Sequence, residues 1–335
     1  MEQNAIAVLG AGTFGIALAA ALAKEGKCVS VWSALPDEIE TLKRERRQKN
    51  LAELVLPESI AYTADIAEAI AGKALVLFAV PSVFVRSTAR AAAPHLCEGQ
   101  TVVDVAKGVE EKTLLFMSEV IGEELAAAGK TLPIVALSGP THAEEVAKNL
   151  PTVIVAACKD NAAAVRVQDF FSSTCLRVYT AFDVRGTELC GALKNIVAIA
   201  AGAAAALGYG DNTAAALMTR GMAEIARLGL AMGCAPETFY GLAGIGDVIV
   251  TATSTHSRNR RAGALLAEGR NEQEARREVG MVVEGFNALP AACALAERYE
   301  VEMPIIFAVR DLMAGKTTPK AAVDALMTRK KKSEF

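Results

Sequence analysis

The sequence has little of what a nucleic-acid-binding protein needs. Aromatic residues make up 5% of its 335 residues, Trp32 is the one tryptophan, and the formal net charge is −3. Binding to nucleic acid requires a broad basic surface, and binding to single strands also requires aromatic side chains on which bases stack. We therefore expect no nucleic acid among the partners of this protein.

Paired cysteines and clusters of metal ligands are also absent from the sequence. Its seven cysteines are scattered singly, with no Cys-x-x-Cys pair and no histidine at a metal-binding spacing. Such a dispersed, odd-numbered set is typical of small apolar side chains in a reducing compartment, rather than of disulfides or zinc ligands. The sequence thus predicts no metal site and favours the cytoplasm.

Long apolar runs are a third absence. The longest, residues 196–207, is alanine-rich and shorter than the roughly 20 residues that cross a bilayer. The first residues contain no basic segment followed by an apolar one, so we expect no secretory signal. These observations predict a cytoplasmic protein that does not span a membrane.

The length and the order of apolar segments predict two domains. A chain of 335 residues is long enough for each domain to bury its own core. Up to about residue 182, short apolar runs alternate with amphipathic segments, as in a parallel α/β sheet covered by helices on both faces. The predicted strands are 5–9, 28–32, 75–80, 101–105, 134–137, 152–157 and 176–179, with helices that include 17–24 and 114–128.

Beyond residue 182 the strand pattern fades, and Gly or Pro separates long segments rich in Ala and Leu. The predicted helices there are 189–207, 213–232, 258–267, 288–299 and 304–314. We therefore predict an α/β domain over residues 1–183 and an all-helical domain over residues 184–335.

A glycine-rich turn stands between the first predicted strand and an alanine-rich helix. Gly10, Gly12 and Gly15 have the Gly-x-Gly-x-x-Gly spacing. In dinucleotide-binding units the first glycine permits the tight turn, the second lets the pyrophosphate approach the backbone, and the third lets helix and strand pack closely. The N–H groups at the start of the helix then face the phosphates. The sequence predicts a Rossmann-type domain that binds NAD or NADP.

The end of the second predicted strand leaves the choice between NAD and NADP open. An NAD site usually has Asp or Glu at this point, and an NADP site often has Arg nearby. Here the strand is followed by Ser33 and Ala34, while Asp37 and Glu38 come slightly late. Basic residues follow only from position 43 onward, on what we expect to be a solvated helix.

Polar residues follow further predicted strands of the first half. Pro81 and Ser82 end one strand, Lys107 follows the next, and the segment 138–143 follows another. Because the carboxyl ends of parallel strands meet at one edge of a sheet, where such folds bind ligands, we expect a binding site there.

The helical half has polar residues in unusual places. Lys194 and Asn195 lie within an otherwise apolar helix, and Asp247 follows a glycine turn. The segment 257–261 opens a helix with cations and amide donors, which suits a phosphate group. By spacing alone, Lys194 is equally well explained as a lysine that extends to water. For Asp247, a helix N-cap is the less favoured alternative to a functional carboxylate.

In their order along the chain, these segments resemble the bacterial type of NAD(P)-dependent glycerol-3-phosphate dehydrogenase. The resemblance extends nearly from end to end, through GAGTFG, AVPS, KGVE, SGPTHAEEVA, ELCGALKNIVAIAAG, GYGDNTAAALMTRGMAE, GLAGIGD, THSRNRR and VVEG. It implies a reversible, NAD(P)H-dependent reduction of dihydroxyacetone phosphate to sn-glycerol 3-phosphate, which supplies glycerophospholipid synthesis. The chain departs from the family pattern at Ala34, where members often have Arg or His.

The resemblance also implies roles for individual residues. Lys194 would be the proton donor and acceptor, assisted by Lys107 and Asp247. With the glycines of the turn, the implied cofactor contacts are Gly10, Gly12, Thr13, Phe14, Gly15, Lys107, Ala143, Arg258, Val282 and Glu284. The implied substrate contacts are Lys107, Gly139, Thr141, Lys194, Asn195, Asp247, Ser257, Arg258 and Asn259, with Thr251 as a further candidate.

A lysine suits the implied reaction because the carbonyl oxygen gains charge, and then a proton, as hydride reaches the carbon. The unperturbed lysine pKa of about 10.4 is high for this task. Burial, together with Lys107 as a neighbouring like charge, is expected to lower the pKa of Lys194. Asp247 would orient Lys194 or hold the substrate hydroxyl, and the planar guanidinium of Arg258 would bind the phosphate at two points.

Two other functions are compatible with the same motifs. A dehydrogenase of hydroxy acids, or of a ketone without phosphate, would share the architecture, although the segment 257–261 favours a phosphorylated substrate. A catalytically silent dinucleotide sensor would have no need of Lys194 and Asp247. The oligomeric state is open, and a homodimer formed through the helical region is compatible with the sequence.

Overall fold

The alternating apolar runs of the first half form eight strands of a single sheet in this computed structural model, which describes residues 2–331, 333 and 334. The chain divides into two compact units. The first contains the chain up to Glu110 and Leu115–Glu188, and the second contains Glu111–Leu114 and the chain from Leu189 onward. The strands are β1 (Glu2–Leu9), β2 (Cys28–Trp32), β3 (Ala61–Thr63), β4 (Lys73–Phe78), β5 (Thr101–Asp104), β6 (Ile134–Ser138), β7 (Thr152–Ala157) and β8 (Leu176–Ala181).

The strand order is β3-β2-β1-β4-β5-β6-β7-β8. Neighbouring strands are parallel except for β6 and β7, which pair antiparallel through Leu137 and Ala156. The expectation of a wholly parallel sheet is therefore wrong at this pair. The connection from β6 to β7 holds only the five-residue helix Ala143–Ala147, which is too short to cross the sheet and return the chain in the parallel direction.

The sequence also missed β3, a three-residue edge strand with mostly half-exposed side chains. Short edge strands lack the continuous apolar run by which buried strands are recognised. The other seven strands lie where the sequence predicted them, with ends that differ by up to three residues.

Helices cover both faces of the sheet in the first unit. They are α1 (Thr13–Lys24), α2 (Pro36–Glu45), α3 (Ile66–Ile70), α4 (Val85–Ala92), α5 (Met117–Ala127), α6 (Ala143–Ala147) and α7 (Asn161–Phe171). Strand β1 shows the arrangement: Ile6 and Val8 belong to one buried cluster, while Ala7 and Leu9 belong to the other. Because successive side chains of a strand point to opposite faces, a strand covered on both sides is apolar throughout.

The second unit is helical in the part of the chain that the structure describes. A long helix, α8 (Val184–Ala206), enters it and is followed by α9 (Asp211–Ala231), α10 (Pro236–Tyr240), α11 (Asp247–Thr253), α12 (Arg258–Ala267), α13 (Glu272–Val279), α14 (Glu284–Arg298), α15 (Pro304–Met313) and α16 (Pro319–Met327).

Helix α8 corrects one argument made from the sequence. The apolar run at 196–207 is short, but the helix containing it has 23 residues and is long and apolar enough to cross a membrane. Of its most apolar window, 83% is buried inside the protein. The helix is therefore apolar because it packs against its neighbours in a protein core.

Candidate active site

The turn after β1 lies where the sheet changes its direction of growth, because β1 pairs with β2 on one side and with β4 on the other. Gly10 has φ of +126°, and a Cβ atom there would lie 2.7 Å from the backbone carbonyl of Ala79, directly after β4. A Cβ on Gly15 would lie 2.4 Å from the Gly10 carbonyl oxygen. Only glycine fits these two places, and such switch points are where open α/β sheets bind ligands.

The start of α1 has the properties of a phosphate site. Gly12 precedes the helix without a capping side chain, and the first helical turn contains no acidic residue. Its first N–H groups are therefore available to an anion, which the helix dipole also favours. Asn50 donates a hydrogen bond of 3.1 Å to the Thr13 hydroxyl, and Phe14 packs against the core beneath. These residues fit the pyrophosphate of a dinucleotide.

Lys107, Gly139 and Thr141 converge in the first unit. The Lys107 ammonium donates to the Gly139 carbonyl at 3.3 Å, and the Thr141 hydroxyl donates to the same oxygen at 3.0 Å. The turn that leads to Lys107 is held by Asp104, whose carboxylate accepts the Ala106 N–H at 3.1 Å. Burial raises the pKa of Asp104 well above its usual range. The strand ends after β5 and β6 thus meet, as the sequence predicted.

A second loop lies against this one. A Cβ atom on Gly108 would lie 2.4 Å from the Ser82 side chain, so the turns after β4 and β5 are in close contact. Ala143 is the first residue of α6 and is partly buried against the core of the sheet. The first unit therefore groups the predicted residues from three turns at one edge of the sheet.

In the second unit, Lys194 is buried among polar partners. Its side chain on α8 donates to the carboxylate of Asp247 at the start of α11, and to the Thr251 hydroxyl at 2.8 Å. Lys194 is 5% exposed and Asp247 is 0% exposed, so a lysine that extends to water is excluded. The carboxylate stabilises the ammonium form, which burial alone would disfavour. Lys194 is thus a buried ammonium that two acceptors hold in a fixed position.

A chain of amide hydrogen bonds lies beside Lys194 on α8. The Asn195 side chain donates to the Gly191 carbonyl and accepts from the Asn259 amide, at 3.1 and 2.9 Å. Asn259 in turn accepts the N–H of Gly285 at 2.9 Å. These buried hydrogen bonds connect α8, α12 and α14, which are far apart in the sequence. They orient the start of α12.

The residue predicted to bind the substrate phosphate, Arg258, is exposed at the start of α12. Ser257 caps the helix by accepting the Arg260 N–H at 3.2 Å, which leaves Arg258 exposed on the first turn while Asn259 is buried. Val282 and Glu284 lie on either side of the residue that precedes α14, and the Asn287 amide donates to Glu284 at 3.3 Å. The predicted residues of the second unit are therefore grouped around α8, α11, α12 and the start of α14.

Sequence reasoning missed Asn50, which binds Thr13 from 37 residues away. It lies in an irregular segment after α2, where neither apolar periodicity nor a motif identifies it. Thr251, by contrast, stands one helical turn after Asp247, a spacing that places both side chains on one face of α11.

A mainly parallel sheet with a glycine turn at its switch point, together with a buried lysine held by a carboxylate, defines a dinucleotide-dependent oxidoreductase. Comparison with known proteins narrows this class. A family model described as NAD-dependent glycerol-3-phosphate dehydrogenase N-terminus matches residues 5–164, and the corresponding C-terminus model matches residues 183–324.

Full-length relatives agree with the family models. Glycerol-3-phosphate dehydrogenase (NAD(P)+) 2 of Lactobacillus delbrueckii subsp. bulgaricus is 58% identical over 332 residues, which cover 98% of both chains. A glycerol-3-phosphate dehydrogenase (NAD(P)+) of Agathobacter rectalis is 48% identical over 99% of this chain and 98% of its own. The crystal structure of a Coxiella burnetii glycerol-3-phosphate dehydrogenase superposes with a TM-score of 0.92, at 35% identity, covering 97% of this chain and 99% of that one.

The chain therefore belongs to the NAD-dependent glycerol-3-phosphate dehydrogenase family. It is an NAD(P)-dependent oxidoreductase that interconverts dihydroxyacetone phosphate and glycerol 3-phosphate. The predictions of family, fold class, activity and cofactor class are confirmed.

Proposed function

We propose that the enzyme reduces dihydroxyacetone phosphate to sn-glycerol 3-phosphate, with Lys194 delivering the proton to the substrate oxygen. The observation that carries this proposal is the buried contact of the Lys194 ammonium with Asp247 and Thr251. A buried ammonium fixed by two acceptors is aimed before substrate arrives, so little reorganisation accompanies the reaction. NADH or NADPH supplies the hydride when bound.

The first unit would hold the dinucleotide. Gly10 and Gly15 keep side chains out of the turn, and the N–H groups at the start of α1 bind the pyrophosphate. The remaining proposed cofactor contacts are Gly12, Thr13, Phe14, Lys107 and Ala143 in this unit, with Arg258, Val282 and Glu284 in the second unit.

Substrate binding would use both charged and neutral hydrogen-bond donors. Arg258 and Asn259 at the start of α12 provide a charged fork and a neutral donor for the phosphate. Lys107 adds a second cation, held beside the Gly139 carbonyl. The other proposed substrate contacts are Gly139, Thr141, Lys194, Asn195, Asp247 and Ser257.

As the substrate carbon accepts hydride, its oxygen develops negative charge. Lys194 stabilises that charge and then donates its proton. Asp247 holds the Lys194 side chain in place, and the Thr251 hydroxyl is a second acceptor for its ammonium group. The lysine regains a proton from solvent before the next turnover.

The product is the backbone precursor of glycerophospholipids, so the enzyme would supply membrane synthesis from the cytoplasm. All seven cysteines, each in the described part of the chain, are outside any disulfide, and two of them are exposed, which supports a reducing compartment. Homodimer formation through the helical unit is part of the same proposal. Exposed apolar side chains there, such as Tyr240 and Met327, support it.

The test is the Lys194→Met variant. It should lower kcat by about 10²- to 10⁴-fold, the usual contribution of a positioned general acid. Binding of NADH, followed by fluorescence of the sole tryptophan, Trp32, should be unchanged. Because this variant strands the buried Asp247 charge, the double variant Lys194→Met with Asp247→Asn is measured beside it.

Lys316→Met is the matched control, because Lys316 is an exposed lysine of the same unit, and it should keep full activity. Turnover by a folded Lys194→Met enzyme near the parent rate would exclude the proposed proton donor. Circular dichroism establishes that each variant is folded.

A further inference from the structure

The end of β2 has a feature that the sequence alone does not show. Ser33, which directly follows β2, is 5% exposed, and its hydroxyl donates to the Glu38 carboxylate at 2.6 Å. The same hydroxyl oxygen accepts the Leu35 N–H at 3.2 Å. Through this hydrogen bond the Glu38 carboxylate lies beside the end of β2, although Glu38 comes five residues after Ser33 in the sequence.

This strand end lies beside the glycine turn. The Gly10 N–H donates to the Trp32 carbonyl at 2.9 Å, so the turn at the pyrophosphate site and the last residue of β2 are hydrogen-bonded neighbours. In dinucleotide-binding units, an acidic side chain at this strand end accepts the adenosine ribose 2′-hydroxyl, whereas a cation there accommodates the 2′-phosphate of NADP.

Four of the five basic residues that follow, up to position 49, are engaged with other groups. Lys43 pairs with Glu40 at 3.0 Å, and Arg44 pairs with Glu45 at 2.9 Å. Of the other three, Arg46 and Arg47 donate to carbonyl oxygens beyond α2, Arg46 to Leu56 at 3.2 Å and Arg47 to Ala52. Lys49 is exposed in the segment after α2, 11 residues beyond Glu38 in the sequence.

Charge near the strand end is therefore acidic. Asp37 and Glu38 form the first turn of α2, and Glu38 is the one that Ser33 holds. A 2′-phosphate placed there would meet a carboxylate, with like-charge repulsion and no cation turned towards it in the described contacts.

We propose that Glu38, positioned by Ser33, binds the adenosine ribose hydroxyls and makes the enzyme select NADH over NADPH. This inference rests on the proposed function of the first unit, and it adds the choice of cofactor. Glu38 acts by accepting hydrogen bonds from the 2′-hydroxyl. Ser33 is a positioning residue, which holds one carboxylate oxygen of Glu38 and leaves the second as the acceptor for the ribose.

The experiment measures dissociation constants rather than turnover alone. Isothermal titration with ADP-ribose and with its 2′-phosphorylated form reports the adenosine site without the nicotinamide. NADH and NADPH are titrated in parallel through Trp32 fluorescence. The parent should bind each non-phosphorylated ligand about tenfold or more tightly than its 2′-phosphorylated counterpart, as expected for one hydrogen bond to a charged group.

Glu38→Gln should reduce that ratio by about tenfold, since it removes the charge that repels the phosphate and weakens the acceptor. Ser33→Ala should shift the ratio in the same direction by a smaller factor. With NADH, both variants should raise KM while kcat stays near the parent value, because neither residue touches the reacting atoms.

Asp37→Asn is the matched control, since it removes one carboxylate from the same exposed turn and should leave the ratio unchanged. Equal effects of Asp37→Asn and Glu38→Gln would overturn the proposal in favour of general surface charge. Equal affinity of the parent for both ligand forms would also overturn it. Failure of the parent to bind any dinucleotide would instead overturn the proposed function, and this inference with it.

Discussion

At the scale of the residue, the central feature is a buried ion pair made of Lys194 and Asp247. Taking two charges out of water costs several kcal/mol per ion, and their attraction rarely gives a large net gain in stability. An apolar pair would fold as well in such a place. The proposed role of Lys194 as the proton donor would explain the pair, because that role requires an ammonium in a fixed position and a partner that holds it there.

Arg258 is the residue on which the preference for a phosphorylated substrate is tested. Arg258→Ala should raise KM for dihydroxyacetone phosphate by about tenfold to a hundredfold, because a charged hydrogen-bonding fork is lost. Activity with dihydroxyacetone, which has no phosphate, should change little. Steady-state kinetics with both ketones measure the contrast.

The control is Arg261→Ala, since Arg261 stands one turn away and donates to the Glu278 carbonyl at 3.0 Å. Its KM should stay near the parent value. An Arg258→Ala variant that raises KM equally for both ketones would contradict phosphate binding by Arg258 and favour a purely structural role.

At the scale of the element, helices α8 and α12 pack with their backbones almost in contact. A Cβ atom on Gly263 would lie 1.9 Å from the Ile199 carbonyl oxygen, and one on Gly202 would lie 1.8 Å from the Arg260 carbonyl oxygen. This approach brings Asn259 within reach of Asn195. Helix packing thus sets the geometry of the predicted phosphate site.

Gly263→Ala should therefore separate the two helices. We expect the free energy of unfolding to fall by about 3 kcal/mol, a usual cost of overpacking a tight core, and KM for the substrate to rise because Asn259 and Arg258 shift. Urea denaturation and steady-state kinetics measure the two effects.

Gly122 in α5 offers a matched helical control. A Cβ there would meet only the Ile134 side chain at 3.7 Å, which is an ordinary contact. Gly122→Ala should raise the stability by about 0.5 kcal/mol, since it removes the flexibility of glycine from a helix. A loss of stability as large as that of Gly263→Ala would refute the packing argument.

At the scale of the whole molecule, each unit contains a buried glutamate. Glu188 accepts hydrogen bonds from the backbone and the hydroxyl of Ser118, and burial raises its pKa to about 7. Glu224 accepts the N–H groups of Ile305 and Ile306 at the start of α15, and burial raises its pKa to about 7 as well. Both side chains cap backbone donors that would otherwise be unsatisfied.

These raised pKa values predict how stability depends on pH. The folded protein holds the proton of Glu224 more tightly than the unfolded chain, whose glutamate has its usual pKa of 4.5. The resulting stabilisation is complete below about pH 4.5 and is lost as pH rises through about 7, which amounts to about 3 kcal/mol for such a shift. The midpoint temperature of thermal unfolding should therefore decrease as the pH is raised from 5 to 8.

Glu224→Gln should make that decrease smaller, because glutamine does not ionise and still offers an oxygen to both N–H groups. Differential scanning calorimetry at several pH values measures the slope. The exposed Glu237 provides the control variant Glu237→Gln, which should retain the parent slope. An unchanged slope for Glu224→Gln would assign the pH dependence to other groups.

The sequence by itself determined the parts of this protein that depend on local pattern. Apolar periodicity defined seven strands and the long helices, because a buried strand or helix face shows its burial in consecutive residues. The glycine turn was recognisable because tight backbone approach admits no side chain at Gly10. The ordered motifs determined the family.

The tertiary structure alone decided several of the contacts between polar groups. The contacts Ser33 to Glu38, Asn50 to Thr13, and Asn195 to Asn259 each depend on how a turn closes or how two helices cross. The antiparallel direction of β7 likewise follows from its short connection. Hydrogen bonding is directional and short in range, so a partner five or sixty-four residues away is selected by packing geometry, which no local pattern encodes.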